Sequence, residues 1–175
     1  MTTCCVSSLL AKIAMLVILI SFVCGTIAIF TPYWTEQSAN STVTFSGLFA
    51  NCTSLSSCLD FSSVLDAYKG TDFYDDFIAT LSLQLAGWIA IFAATIIMII
   101  YACACCADLK IIGYVAIILS LLGGSLITAG IIVYGVGLNA LQSAVLSWSF
   151  GLDIACAALA LAAGVIMLVN ICVFD

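Results

Sequence analysis

Long runs of this chain carry no charged side chain, among them the apolar stretches Ile13 to Thr35, Phe77 to Ala107 and Ile111 to Leu152. A helix needs roughly 20 apolar residues to cross a bilayer core, and within that core each backbone polar group must be satisfied internally. The first run meets this length once. The second exceeds it at about 1.5 Å of rise per residue, so its first turn or two is expected to stand above the bilayer. The third is about twice the length of a single crossing. Gly135, Gly137, Asn139, Gln142, Ser143 and Ser147 interrupt it and mark a bend. The pattern predicts an all-α integral membrane protein with spans at about 9–34, 77–106, 111–134 and 150–173, and loops at about 35–76 and 135–149.

Composition closes off most other classes. Hydrophobic residues make up 65% of the chain and charged ones 7%, against roughly 45–50% apolar in a soluble domain. There is no His, and Lys and Arg together number 3, all of them Lys. Phosphate clamps, nucleic-acid binding and His-based catalysis or metal ligation are therefore not expected. No cofactor and no enzymatic activity are expected either. The net charge of −6 comes largely from the stretch Asp60 to Asp76, an acidic face on one side of the membrane.

The first loop is the only polar segment long enough to form a small ectodomain. It opens with Tyr33 and Trp34, an aromatic pair of the kind that settles at a membrane surface. Val43 and Phe45 then alternate with polar residues, which suits a strand with one covered face. Phe61, Val64, Leu65 and Tyr68 follow at helical spacing, so strands come first and a short helix after. The first apolar run is too long for a signal peptide and ends in Thr31-Pro32-Tyr33-Trp34, so it is read as retained.

Two arguments orient the chain. Lys12 and Lys110 fall on one side and Lys69 on the other, which places both termini in the cytoplasm by the positive-inside rule. Cys52 and Cys58 share the first loop with two glycosylation sequons, at Asn40 and Asn51, and oxidised cysteines and glycans both belong to the lumenal or extracellular side. Cys4, Cys5, Cys103, Cys105, Cys106 and Cys172 all fall on the opposite face. There they are palmitoylation candidates. The competing reading, a redox or metal site at Cys103 and Cys106, has no His and no second CxxC to support it. Small residues mark expected helix contacts: Ser120, Gly124 and Thr128 on the third span, and Gly151, Ala155, Ala160 and Gly164 on the fourth.

Four spans, a large first loop, Trp34, then Gly47-Leu48-Phe49, Cys52 and Cys58 together resemble the claudin superfamily, which includes claudins, peripheral myelin and epithelial membrane proteins and calcium-channel gamma subunits. The family's usual Gly-Leu-Trp is Gly47-Leu48-Phe49 here. The resemblance implies a small extracellular antiparallel sheet built from the first loop. Trp34 and Gly47-Leu48-Phe49 would pack that sheet on the helix bundle, and a Cys52–Cys58 disulfide would staple neighbouring strands. The chain departs from claudins in lacking the Arg they carry near the start of the second span, in a shorter first loop, and in ending at Cys172-Val-Phe-Asp175 without a scaffold-binding tail.

The implied function is non-enzymatic: a plasma-membrane protein of cell-cell contact, acting as a junctional barrier or cation-permeable paracellular element with itself or claudin-like proteins as partners. The alternative is an auxiliary subunit of an ion channel or receptor. A four-span thiol oxidoreductase would need its CxxC on the lumenal side. Asp60 and Asp66 are candidate cation-attracting acids, weighed against a merely solvated acidic face. Asp153, about one turn into the fourth span, is either part of an ion pathway or held by a polar partner or the outer interface; Gln84, at a comparable depth in the second span, is one side chain that could donate to it.

Overall fold

The computed structural model describes residues 8–39, 42–53, 58–60, 66, 69–70, 72–103, 110–138 and 145–174. Four long helices dominate it: α1 (Leu9–Phe30), α2 (Asp72–Cys103), α3 (Lys110–Val133) and α4 (Trp148–Phe174). All four are long and apolar enough to cross a membrane, the character of a multi-pass membrane protein. Their outward faces carry Leu16, Ile20, Ile96, Ile118, Leu122 and Val165 in the open. Such a belt is stable where hydrocarbon covers it.

The helices run alternately up and down and close a ring in which α1 packs on α2 and α4, α2 on α3, and α3 on α4. Because lipid is as apolar as a leucine side chain, close approach rather than hydrophobicity holds such a ring together. Gly87 of α2 and Gly123 of α3 provide it reciprocally. A methyl on Gly87 would lie 2.9 Å from the Gly123 carbonyl, and one on Gly123 would lie 3.0 Å from the Gly87 carbonyl. On the α3–α4 side, Ser120 donates to the Ala160 carbonyl at 2.6 Å, and a methyl on Gly124 would lie 3.1 Å from the Ala157 carbonyl. Gly164 meets Leu121 and Ser120, whereas Gly151 is exposed and has nothing within 4 Å of its would-be methyl. Gly151 is thus removed from the expected contact stripe, because it faces away from the bundle.

The polar ends form a five-stranded antiparallel sheet among the described residues: β1 (Thr35–Ala39), β2 (Thr42–Ser46), β3 (Ala50–Thr53), β4 (Cys58–Asp60) and β5 (Val145–Leu146), in the order β4-β3-β2-β1-β5. Four strands come from the first loop. The fifth comes from the second loop, pairing Thr35 with Leu146 and Glu36 with Val145. The sheet is therefore not a product of the first loop alone, since the free edge of β1 recruits the segment that leads into α4.

Span boundaries also shift. The α1 helix stops at Phe30 because Thr31 turns extended ahead of Pro32, so Tyr33 and Trp34 lie beyond the span. Helix α2 begins at Asp72 rather than at residue 77, which places Asp72, Asp75 and Asp76 in its first turns, where carboxylates suit the helix dipole. Its 32 residues make roughly 48 Å, so its start stands clear of a 30 Å core. The α3 helix does not end at the bend but widens into one π-helical turn, Tyr134–Leu138. The helical turn expected around residues 61–68 lies outside the described residues except for Asp66.

If the Gly87–Gly123 approach holds α2 against α3, then Gly87→Ala should lower the thermal midpoint of the detergent-solubilised protein, by about 1–3 kcal/mol of stability. Gly151→Ala should leave it unchanged or raise it slightly, because nothing stands where its methyl would go. Equal effects of the two substitutions would remove close approach as the cause.

Candidate functional site

The sheet is fixed to the bundle by one buried aromatic cluster, and its geometry begins with a missing donor. Pro32 has no N–H, so it cannot make the helical hydrogen bond to the carbonyl four residues back, that of Ala28. The indole Nε1 of Trp34 supplies the bond instead, donating to the Ala28 carbonyl at 2.6 Å. Trp34 is 0% exposed and packs with Leu48, Tyr134 and Phe150, bordered by Phe49, Phe77, Leu81 and Ile131. Its ring meets Tyr134 edge-on at 4.9 Å and Phe150 at 5.8 Å between centroids. One side chain thus caps α1 and touches residues of α3 and α4.

The backbone around Trp34 ties three segments together. Its N–H donates to Ser46 at 3.0 Å, and its carbonyl accepts from Ser147 at 2.9 Å. Thr31 continues the tie, bonding through its hydroxyl to Ser149 at 2.7 Å. Gly47 lies directly on the α1 exit: a methyl there would be 2.6 Å from both the Thr31 carbonyl and the Pro32 Cα. Only a residue without a side chain fits a backbone approach this close. Leu48 is fully buried, and Phe49 stacks on Phe30 at 5.5 Å.

Cys52 and Cys58 face each other across β3 and β4 and form a disulfide, with 4.1 Å between their Cα atoms. It closes a tight ring next to the outer strand, where it stiffens the edge more than the bundle. Asn51 stands in β3 between Ser46 and Leu59, and its side-chain carbonyl is buried without a partner. Asn40, the other sequon asparagine, lies outside the described residues.

The expected acids separate into two settings. Asp66 is exposed, and Asp60 ends β4 opposite Ala50. Asp153 belongs to neither the surface nor the sheet. It is 0% exposed inside the bundle and accepts a hydrogen bond from Gln84 Nε2 at 2.7 Å. Gln84 reaches it from α2 past Gly130 of α3, where a methyl would lie 2.9 Å from the amide nitrogen. An orphaned oxygen remains on each partner, Gln84 Oε1 and Asp153 Oδ1. Leaving such an atom unpaired in a buried site costs about 1–3 kcal/mol, and more for a charged group.

Of the juxtamembrane cysteines, Cys172 is exposed near the end of α4 and Cys103 closes α2, both at the end of the bundle opposite the sheet. Cys4, Cys5, Cys105 and Cys106 lie outside the described residues. Sequence reasoning did not single out Tyr134, Phe150 or Thr80. The first two are aromatics in apolar runs with no distinguishing pattern, whereas Thr80 does carry a signal, its four-residue spacing from Gln84. Among the described residues no three Cys, Asp, Glu or His side chains gather as a metal centre. No protein-family model matches this chain, and no curated protein is significantly similar to it.

Substituting Trp34 by Phe retains most of the ring but leaves the Ala28 carbonyl buried without its donor. The expected loss is about 1–3 kcal/mol. In hydrogen exchange it should show as lost protection in β1 and β2, with the midsections of α2 and α3 still protected. A sheet as protected as in the parent protein would mean that the indole bond does not seat it.

Proposed function

We propose that this chain is a claudin-like membrane protein whose braced ectodomain sheet makes contact with neighbouring cells, as a junctional barrier or a cation-permeable paracellular element. The observation that carries this reading is the rigid seating of the sheet, which Trp34, Gly47 and the β1–β5 pairing attach to the bundle from both loops. A surface held in one orientation loses little further freedom on binding, so preorganisation favours association. The sheet's outer strands among the described residues, β4 and β5, present backbone edges of the kind that extended partners extend. The resemblance in Trp34, Gly47-Leu48-Phe49, Cys52 and Cys58 supplies the choice of family.

Charge supports a cation preference. Asp66 and Asp75 are exposed on the sheet side, and Asp72 and Asp76 stand in the same first turns of α2. The lone basic side chain of that loop is Lys69. A surface of one sign raises the local concentration of its counter-ions. In this reading the sheet faces the cell exterior, with both termini in the cytoplasm, because the Cys52–Cys58 disulfide persists in an oxidising compartment. Acylation of the juxtamembrane cysteines and a glycan at Asn40 or Asn51 belong to the same reading.

The double substitution Asp60→Asn and Asp66→Asn should lower the sodium-over-chloride preference measured by dilution potentials across an expressing cell monolayer. An unchanged preference would defeat the cation-permeable junction. Crosslinking in mild detergent addresses the partner: copies of this chain, or a claudin-like protein, joined through sheet residues support contact, whereas a stoichiometric channel or receptor would replace this reading with an auxiliary subunit.

A further inference from the structure

Four buried side-chain atoms of the described residues lack a hydrogen-bond partner, and three of them belong to linked residues: Thr80 Oγ1 and Gln84 Oε1, one turn apart on α2, and Asp153 Oδ1 on α4, whose carboxylate Gln84 bonds. All three residues are 0% exposed. The orientation of Gln84 is fixed by its neighbours. Its amide nitrogen faces two acceptors, Asp153 Oδ2 at 2.7 Å and the Ile127 carbonyl at 3.4 Å, so both of its hydrogens are committed and the oxygen is what remains. Thr80 sits one turn from Gln84 on the same helix face. Thr26, Thr31, Thr95 and Thr128 each donate to the carbonyl four residues back, but Thr80 makes no such bond.

No basic side chain answers the carboxyl group. Lys12 and Lys110 lie in the first turns of α1 and α3, at the opposite end of the bundle, and Lys69 is exposed in the loop. A carboxyl group taken out of water with a single amide donor is left under-compensated. The unpartnered atoms are a hydroxyl, an amide carbonyl and a carboxyl oxygen, a set of hard oxygen ligands.

We infer that Thr80, Gln84 and Asp153 form a binding site for one small monovalent cation inside the helix bundle. One carboxylate balances a single positive charge, and a divalent ion would leave an uncompensated charge in the same low-dielectric place. Further polar groups on α2 lead toward the site. Asp76 stands one turn above Thr80, half-buried against Gly137, where a methyl would lie 2.6 Å from its Oδ2. Asp76, Thr80 and Gln84 thus form a polar ladder at four-residue spacing, descending from the sheet end to Asp153. The site does not depend on the surface acids or on a junctional role.

The test is thermal unfolding of the purified full chain in detergent, at fixed pH and ionic strength, as N-methyl-D-glucamine chloride is replaced by sodium chloride. A saturable rise in Tm is expected, since an ion at 100 times its Kd raises the ratio of folded to unfolded protein about 100-fold. Asp153→Asn keeps an acceptor for Gln84 but removes the charge, and should abolish the rise. Thr80→Val is nearly isosteric and should shift the sodium titration to concentrations at least about tenfold higher, equivalent to about 1.4 kcal/mol. Should Asp153→Asn fail to fold, the Thr80→Val titration and sodium-23 line broadening by the parent chain decide the question. Equal Tm values in the two salts, or a sodium shift that survives both substitutions, would overturn the site. So would a Tm that follows pH but not sodium, because the carboxyl group would then hold a proton only.

Discussion

A single carbonyl oxygen, that of Ala28, determines how the two halves of this molecule meet. Pro32 removes the donor that would have continued α1, and the indole of Trp34 returns one from the far side of a sharp exit. The chain cannot leave the helix in any direction that draws Trp34 away without stranding that oxygen in an apolar setting. The remaining seat follows from it. Tyr134 and Phe150 close around the ring, Gly47 lies flat against the exit, and β1 begins at Thr35, one residue after Trp34.

The bundle beneath obeys a different rule. Its helices are apolar on every side, so amphipathic patterning does not decide which faces meet. Surface shape decides instead. Gly87 against Gly123, and Gly124 with Ser120 against α4, set how near the backbones come, while larger aliphatic side chains fill the gaps or face outward. Against this background the few buried polar groups stand out, because each must find its partner within the bundle or remain unpaired. Ser21 finds the Cys156 carbonyl and Trp88 finds Thr26. Gln84 and Asp153 find each other and still leave an oxygen apiece.

Much of this was legible in the sequence, and the failures have physical causes. Four apolar spans, the position of the bend and a first loop with strands all follow from charge and periodicity, because a bilayer imposes length and polarity directly. Gln84 as a candidate donor to Asp153 was legible from their comparable depth in the second and fourth spans, although the ring sets these two helices diagonally. The β5 strand was not, since two residues, Val145 and Leu146, carry no alternation and pair only because β1 offers a free edge. Gly151 looked like its neighbours in composition, but which side of a uniformly apolar helix faces the bundle is decided by packing. Gly87 and Gly123 lie in different spans, and nothing local says that they meet. The extra turn at the start of α2 was hidden by its aspartates, which read as loop and instead favour a helix N-terminus.

The pairing of β1 with β5 makes the sheet part of the same mechanical path as the interior of the helix bundle. Leu146 is hydrogen-bonded into the sheet, Ser147 is tied to Trp34, and α4 begins at Trp148, with Asp153 little more than a turn further on. A displacement of the sheet edge is therefore coupled, through Ser147 and the first turn of α4, to the buried carboxyl group.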